Sequence, residues 1–272
     1  MLNLRYCILV CLLSLVTLFS VYAQTRKQIH YLSGKDNEHT VVWDFWVTGG
    51  RQSGQWSKIA VPSHWEQQGF GSYNYGRDYV TYGKNFRFHD EKGIYRHHFQ
   101  VPQQWQGNKV TIVFEGSMTD TEVKINGRLA GEIHQGSFYQ FEYDISEIIK
   151  YGQQNQLEVT VSKMSADQSV NNAERLADYW VLGGIFRPVY LAVTPKEHIS
   201  WTAIDAQADG SFASQVHLEN IQGSREIQVA IKDNNNSVVG THRVAVAKGD
   251  SMKFRTFTMR SLPYWMVNSS YI

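Results

Sequence analysis

The chain has 272 residues, 42% hydrophobic and 13% aromatic, with 21 glycines against 5 prolines. That profile belongs to a turn-rich folded protein large enough to build its own core, and it excludes a disordered or collagen-like chain. Lys and Arg number 26 and Asp and Glu 25, so no cationic excess marks a binder of nucleic acid or of an anionic membrane.

In chain order, MLNLRYCILVCLLSLVTLFSVYAQ carries one basic residue, Arg5, then a continuous apolar run and small residues before Gln24. It reads as a secretory signal peptide, residues 1–23, cut after Ala23. The run from Tyr6 to Tyr22 is slightly short for a bilayer span of about 20 residues; an uncleaved membrane anchor is the other reading. Cleavage removes Arg5 and leaves as many bases as the 25 acids, in a protein expected in the periplasm or outside the cell with no membrane contact. It also removes both cysteines, Cys7 and Cys11. The mature chain is then without thiol, disulfide or Cys-ligated metal and depends on its apolar core alone.

The polar lead TRKQIHYLSGKDNEHT reads as a flexible arm. Val41 to Val47 alternates, with Trp43 and Phe45 on the core side. Residues 49–54 are a loop by composition, and Trp56 to Val61 leads into Pro62 and Trp65. Gln67 to Asn85, QQGFGSYNYGRDYVTYGKN, has no period and reads as a long functional loop. Asp78 is its candidate ligand carboxylate on chemistry alone. Strands are expected over Tyr95–Val101 and Trp105–Phe114, divided by a turn at Pro102–Gln104. His97 and His98, adjacent in a strand, point to opposite faces, which argues against a metal shared with His89.

Val110 to Asp144 reads as a set of adjacent antiparallel strands. Val110, Ile112 and Phe114 share one face, and so do Val123 and Ile125. Asn126-Gly127 closes a type I′ hairpin, because both central residues of that turn need positive φ. The chain returns through Leu129 and Ile133, and Phe138, Phe141 and Tyr143 make an aromatic strand. Leu157–Val161 is another strand, and Met164–Arg175 a polar loop before Asp178. After Pro195-Lys196-Glu197, four stretches alternate at the spacing of an immunoglobulin-like sandwich: Thr202–Ala206, Ser214–Leu218, Ile227–Ile231 and Arg243–Val246. Residues 259–272 do not continue the pattern.

Four stretches together carry a resemblance. FEGSMTDTEVKINGRLAGEIHQGSFYQFEYDI spans 114–145; Val61-Pro62-Ser63-His64-Trp65 is similar to a "VPxxW" entry; Gly93-Ile94-Tyr95-Arg96 to a "GxYR" strand; and DYWVLGGIFRPV from Asp178 to Val189 to a "DxWxxxGIFRxV" segment. In this order they resemble the N-terminal part of glycoside hydrolase family 2, the β-galactosidases, β-glucuronidases and β-mannosidases. The resemblance is firm over Val41–Val193 and loose over Ile199–Thr258.

The resemblance implies an all-β chain: a jelly-roll β-sandwich at 24–195 that binds sugar, followed by a partial immunoglobulin-like β-sandwich at 196–272. It implies a carbohydrate partner, no cofactor and no metal, and says nothing of oligomeric state. The family's aspartate in "DxWxxxGIFRxV" reaches a barrel mouth and hydrogen-bonds sugar hydroxyls, and Asp178 occupies that place. A carboxylate accepts from two hydroxyls at once, which suits a vicinal diol. Trp180, Phe186 and Arg187 are expected to fix the loop against the sandwich. The family's two catalytic glutamates stand on a (β/α)8 barrel of about 250 residues that follows the sandwiches. No stretch here alternates strand and helix, so this chain is expected to hold no catalytic pair and to stop within its second sandwich, as a truncated or frameshifted product or a fragment would, leaving Val229 and Ile231 exposed. The "VPxxW" and "GIFR" segments lean towards the β-galactosidase-like branch. A stand-alone, non-catalytic carbohydrate-binding β-sandwich remains the alternative, since exposed aromatics can hold glycans without chemistry.

Overall fold

The computed structural model describes residues 27–83, 85–207 and 211–247, with the backbone of 252–258. The leader 1–23 and the tail 259–272 lie outside the described residues.

Twelve strands build the first unit: β1 (Gln28–Tyr31), β2 (Val41–Val47), β3 (Ser57–Val61), β4 (Asn74–Tyr75), β5 (Lys92–Gln100), β6 (Lys109–Phe114), β7 (Asp120–Ile125), β8 (Arg128–Leu129), β9 (Phe141–Asp144), β10 (Gln154–Ser162), β11 (Trp180–Val181) and β12 (Val189–Thr194). They form a four-stranded sheet β1-β12-β6-β9 packed on a six-stranded sheet β3-β2-β5-β10-β7-β8, with β4 and β11 as a separate pair. The period-two pattern explains the core. Trp43, Phe45 and Val47 of β2, Tyr95 and Phe99 of β5, and Leu157, Val159 and Val161 of β10 all turn inward onto Val110, Ile112 and Phe114 of β6. Two antiparallel sheets joined across this core are the expected jelly roll.

Several local expectations are corrected. Val110–Asp144 is not one run of neighbouring strands. β6 belongs to the four-stranded sheet and β7 to the six-stranded one, and β9 comes back to pair with β6. Alternation reports which face is buried and is silent about which sheet owns the strand. The Asn126-Gly127 hairpin is present between β7 and β8, with φ of 52° and 78°. Leu129, Ile133 and Phe138 are exposed, however, and Phe138 lies outside β9. The N-terminal arm contains β1, paired with β12 from Gln28↔Val193 to Tyr31↔Tyr190. All four of its side chains are exposed, so backbone bonding holds it and no hydrophobic period announces it. Trp105 ends a 3-10 turn, Gln103–Trp105, rather than starting a strand.

Both supposed loops carry a helix. α1 (Asp78–Tyr82) sits in the 67–85 stretch, and α2 (Gln168–Glu174) in the 164–175 stretch. Asp167 caps α2 by accepting from the Ser169 N–H at 2.7 Å. Its buried residues are Asn171 and Glu174, so it has no apolar stripe for a sequence to display.

The second unit comprises β13 (His198–Ala206), β14 (Ser211–Glu219), β15 (Arg225–Lys232), β16 (Val238–Val246) and β17 (Met252–Thr258), in sheets β13-β14-β17 and β15-β16. Val216, Leu218, Ile221, Val244 and Val246 make its core. Ile231 is 3% exposed and Val229 half-buried, not open to solvent as expected: the cross-strand pairing of β15 with β16 gives that face partners. Among the described residues no helix is long and apolar enough to cross a membrane.

Candidate functional site

The β4–β11 ribbon joins the two segments that the sequence singled out. Trp180 pairs with Tyr75 and Val181 with Asn74, and the Gly76 N–H donates to the Tyr179 carbonyl at 2.9 Å. Gly76 has to be a glycine here, because a Cβ would stand 2.1 Å from the Ala177 carbonyl oxygen. Asp178 follows at the rim. The Tyr75 hydroxyl donates to its Oδ1 at 2.8 Å, and Arg77 Nε stands 3.6 Å from the same oxygen, with the Asp178 side chain 66% exposed. That hydrogen bond to a carboxylate raises the Tyr75 phenol pKa.

Asp78 converges on the same tyrosine in a different way. Its Oδ2 accepts from the Tyr75 backbone N–H at 2.9 Å, which fixes the turn into α1. Asp78 and Asp178 thus hold the amide and the hydroxyl of one residue. Trp180 departs from the expectation that it packs the loop down: it is 58% exposed, with Tyr73 and Tyr75 edge-on at ring distances of 5.6 and 5.5 Å. Phe186 does pack, stacked on His64 at 5.2 Å. Arg187 is exposed and donates to the carbonyls of Glu115 and Phe138 at 3.4 Å. The rim therefore presents a carboxylate, a phenol, a guanidinium and an indole side by side, a set able to accept from hydroxyls and to cover the apolar face of a pyranose.

Trp65 supports this rim from within. It is fully buried, and Gly71, Gly93 and Gly183 all lie against its ring, where a Cβ on Gly183 would come within 2.2 Å. The first glycine of LGGIF is thus demanded by the indole of VPSHW, and the second, Gly184, by its φ of 118° and by the Ser63 carbonyl oxygen 2.8 Å from where a Cβ would stand. Beneath lies a charged group that sequence reasoning missed: Lys163 Nζ is 2.7 Å from Glu66 Oε1 and 3.3 Å from Glu91 Oε2. Single charges dispersed through polar stretches look like surface residues, so nothing in the sequence flagged them. Among the described residues no group of three or more His, Cys, Asp or Glu side chains is placed to hold a metal. His97 stacks on Trp43 at 4.8 Å, and His98 meets Gln156 at 3.4 Å.

Residues 33–195 match the model of "Glycosyl hydrolases family 2, sugar binding domain". A β-galactosidase of Thermoanaerobacter pseudethanolicus is 39% identical over 105 residues, covering 39% of this chain and 14% of that protein. A β-glucuronidase of Bacteroides fragilis is 26% identical over 246 residues, 87% of this chain and 30% of that protein. Among solved structures, Bifidobacterium dentium β-glucuronidase complexed with coumarin-3-O-glucuronide superposes with a TM-score of 0.61 at 20% identity, over 88% of this chain and 43% of that one. Bacteroides uniformis β-glucuronidase gives 0.62 at 17%, over 85% and 27%. At those identities the two structures speak to fold alone. The chain spans between 14% and 30% of the length of the two curated relatives described. With more than half of its residues inside the family match, the chain belongs to glycosyl hydrolase family 2 and carries that family's sugar-binding domain.

Proposed function

We propose that this chain is the exported, non-catalytic, sugar-binding portion of a β-galactosidase- or β-glucuronidase-like hydrolase, and that Asp178 is its polar contact to the sugar. The observation that carries the reading is the Asp178 carboxylate itself. It is solvent-facing, oriented by Tyr75 and Arg77 through a single oxygen, and flanked by the exposed Trp180. A hydrolase of this type needs two carboxylates about 5 Å apart if it retains configuration; in this reading that pair stands on a catalytic barrel outside residues 1–272. The purified chain then shows no turnover of nitrophenyl β-galactoside or β-glucuronide, and turnover that survives rigorous purification would overturn the non-catalytic assignment.

The site is tested in a protein that joins this chain to its family's barrel. Hydrogen bonds to a charged acceptor contribute about 1.5–3 kcal/mol, so Asp178→Ala lowers substrate affinity roughly ten- to a hundred-fold with the fold intact. Asp178→Asn keeps the shape and one acceptor and falls between. Parental affinity and turnover in both variants would remove Asp178 from the site. A second reading, glycan binding by this chain alone, draws on the exposed Tyr73–Trp180 pair. It requires Trp180 resonances to shift on titration with galactose or glucuronic acid. Export is tested by N-terminal sequencing of the secreted product, which begins at Gln24 if residues 1–23 are cleaved.

A further inference from the structure

Four charged side chains from separate parts of the chain lie beneath the β4–β11 ribbon. Glu66 follows the Trp65 turn, Glu91 precedes β5, Lys163 follows β10 and Arg175 follows α2, each at 3% exposure or less. Withdrawing charges from water is strongly unfavourable, and an apolar set of equal volume is often as stable or more so. Stability alone does not account for them.

Their bonding does. The Lys163 ammonium is ion-paired with Glu66 Oε1 at 2.7 Å, and it donates to Glu91 Oε2 at 3.3 Å and to the Ser72 carbonyl. Ser72 stands just before Tyr73 and β4. The second oxygen of Glu66, Oε2, accepts from the Gly183 N–H at 3.0 Å, and Arg175 donates to the Leu182 carbonyl; both belong to the segment that leaves β11. The Glu66 carbonyl also accepts from the Tyr73 hydroxyl and from Arg51 Nη2, each at 3.2 Å. The Lys163–Glu66–Glu91 unit therefore grips Ser72 on one side and Gly183 on the other, with the Glu66 carbonyl and Arg175 adding a bond to each limb. Between those grips lie Tyr75 on one limb and Asp178 and Trp180 on the other. The ladder that joins the limbs directly is only two residue pairs long, too short to hold its own register.

We propose that Lys163, Glu66 and Glu91 are positioning residues, a buried clamp that sets β4 against β11 and so fixes the Tyr75–Asp178 contact. The importance of the clamp for sugar recognition rests on the reading of Asp178 given above, but the clamp itself is tested without sugar.

The full chain is used, with Lys163→Met combined with Glu66→Gln and Glu91→Gln. All three charges disappear at nearly constant volume, no carboxylate is left buried opposite an apolar side chain, and the amide oxygen at position 66 can still accept from Gly183. Amide hydrogen exchange is followed over 72–76 and 178–184 and compared with β5 and β10. At least tenfold faster exchange is expected in the two limbs, with β5 and β10 unchanged. Parental rates in the limbs, or acceleration in step with β5 and β10, would overturn the proposal by showing that the charges do nothing or serve global stability only. Should the triple variant not fold, Glu66→Leu alone keeps Lys163 paired with Glu91 and removes the acceptor that holds the Gly183 N–H. It still has to speed the two limbs severalfold and selectively, and unchanged rates there count equally against the clamp. The two proposals fail separately: an innocuous Asp178→Ala sinks the sugar contact while leaving these exchange rates as predicted.

Discussion

His97 shows how a single side chain ties the sandwich to pH. It projects from β5, stacks on the buried Trp43 at 4.8 Å, and burial, followed by the neighbouring His98, lowers its pKa from 6.5 to about 4. The folded state thus holds His97 neutral while the unfolded chain protonates it more readily. Its contribution to stability is complete above pH 6.5 and is lost as pH falls towards 4. His97→Phe retains the stack and removes the proton, so the melting temperature of the parent should drop more steeply than that of the variant across this window. Parallel curves would mean that His97 does not titrate between the two states. Gly183 is the corresponding steric case: a Cβ 2.2 Å from the Trp65 ring makes Gly183→Ala cost about 1–3 kcal/mol by overpacking, read from chemical denaturation. A variant as stable as the parent would show that the Trp65 pocket yields. At this scale the sequence was legible where a residue sat in a recognisable motif, as Trp65 does. It was not legible for Glu66, Glu91 and Lys163, because buried and solvated charges are written with the same letters and only their partners, distant in the chain, tell them apart.

At the scale of elements, the β7–β8 hairpin combines two distinct requirements. Backbone geometry asks for positive φ at Asn126 and Gly127. The Asn126 side chain meanwhile donates to the Ile148 carbonyl at 3.1 Å and to Asn155 Oδ1 at 2.8 Å, and accepts from the Gln156 N–H at 3.1 Å. A Cβ on Gly127 meets nothing within 4 Å. Gly127→Ala therefore costs only the left-handed backbone penalty, about 1–2 kcal/mol. Asn126→Ala adds the three lost hydrogen bonds at about 1 kcal/mol each and should cost roughly 4–5 kcal/mol. Equal losses in equilibrium unfolding would mean that turn geometry alone matters. Elements of this kind, with an explicit turn or strict alternation, were readable in advance. β1 and α2 were not, since the first exposes all four side chains and the second buries only polar ones. The assignment of β6 and β7 to opposite sheets was hidden for a further reason: sheet membership is a long-range choice that local periodicity leaves open.

At the scale of the molecule, the two units differ sharply in what holds them. The first packs Trp43, Phe45, Trp65, Tyr95 and Phe114 into one continuous core, whereas the second relies, among the described residues, on Val216, Leu218, Ile221, Val244 and Val246. The groups that bridge them are polar: Lys109 Nζ bonds Glu219 Oε2 at 2.8 Å, and both side chains remain about a third exposed at 27% and 32%. Partly solvated pairs contribute little, on the order of 0–1 kcal/mol, and do not weld two cores into one cooperative unit. Thermal unfolding should then occur in two steps, the second unit first. Leu218→Ala, which empties part of the smaller core, typically costs about 2–5 kcal/mol and should lower only the first transition. Val159→Ala, deep between the large sheets at 0% exposure, should lower only the second. Limited proteolysis between the transitions should cut near residues 195–199, where β12 has ended and β13 has barely begun, and leave the jelly roll whole. A single transition lowered by both substitutions would show instead that the Lys109–Glu219 seam couples the units, and that the β4–β11 rim shares its stability with the whole chain.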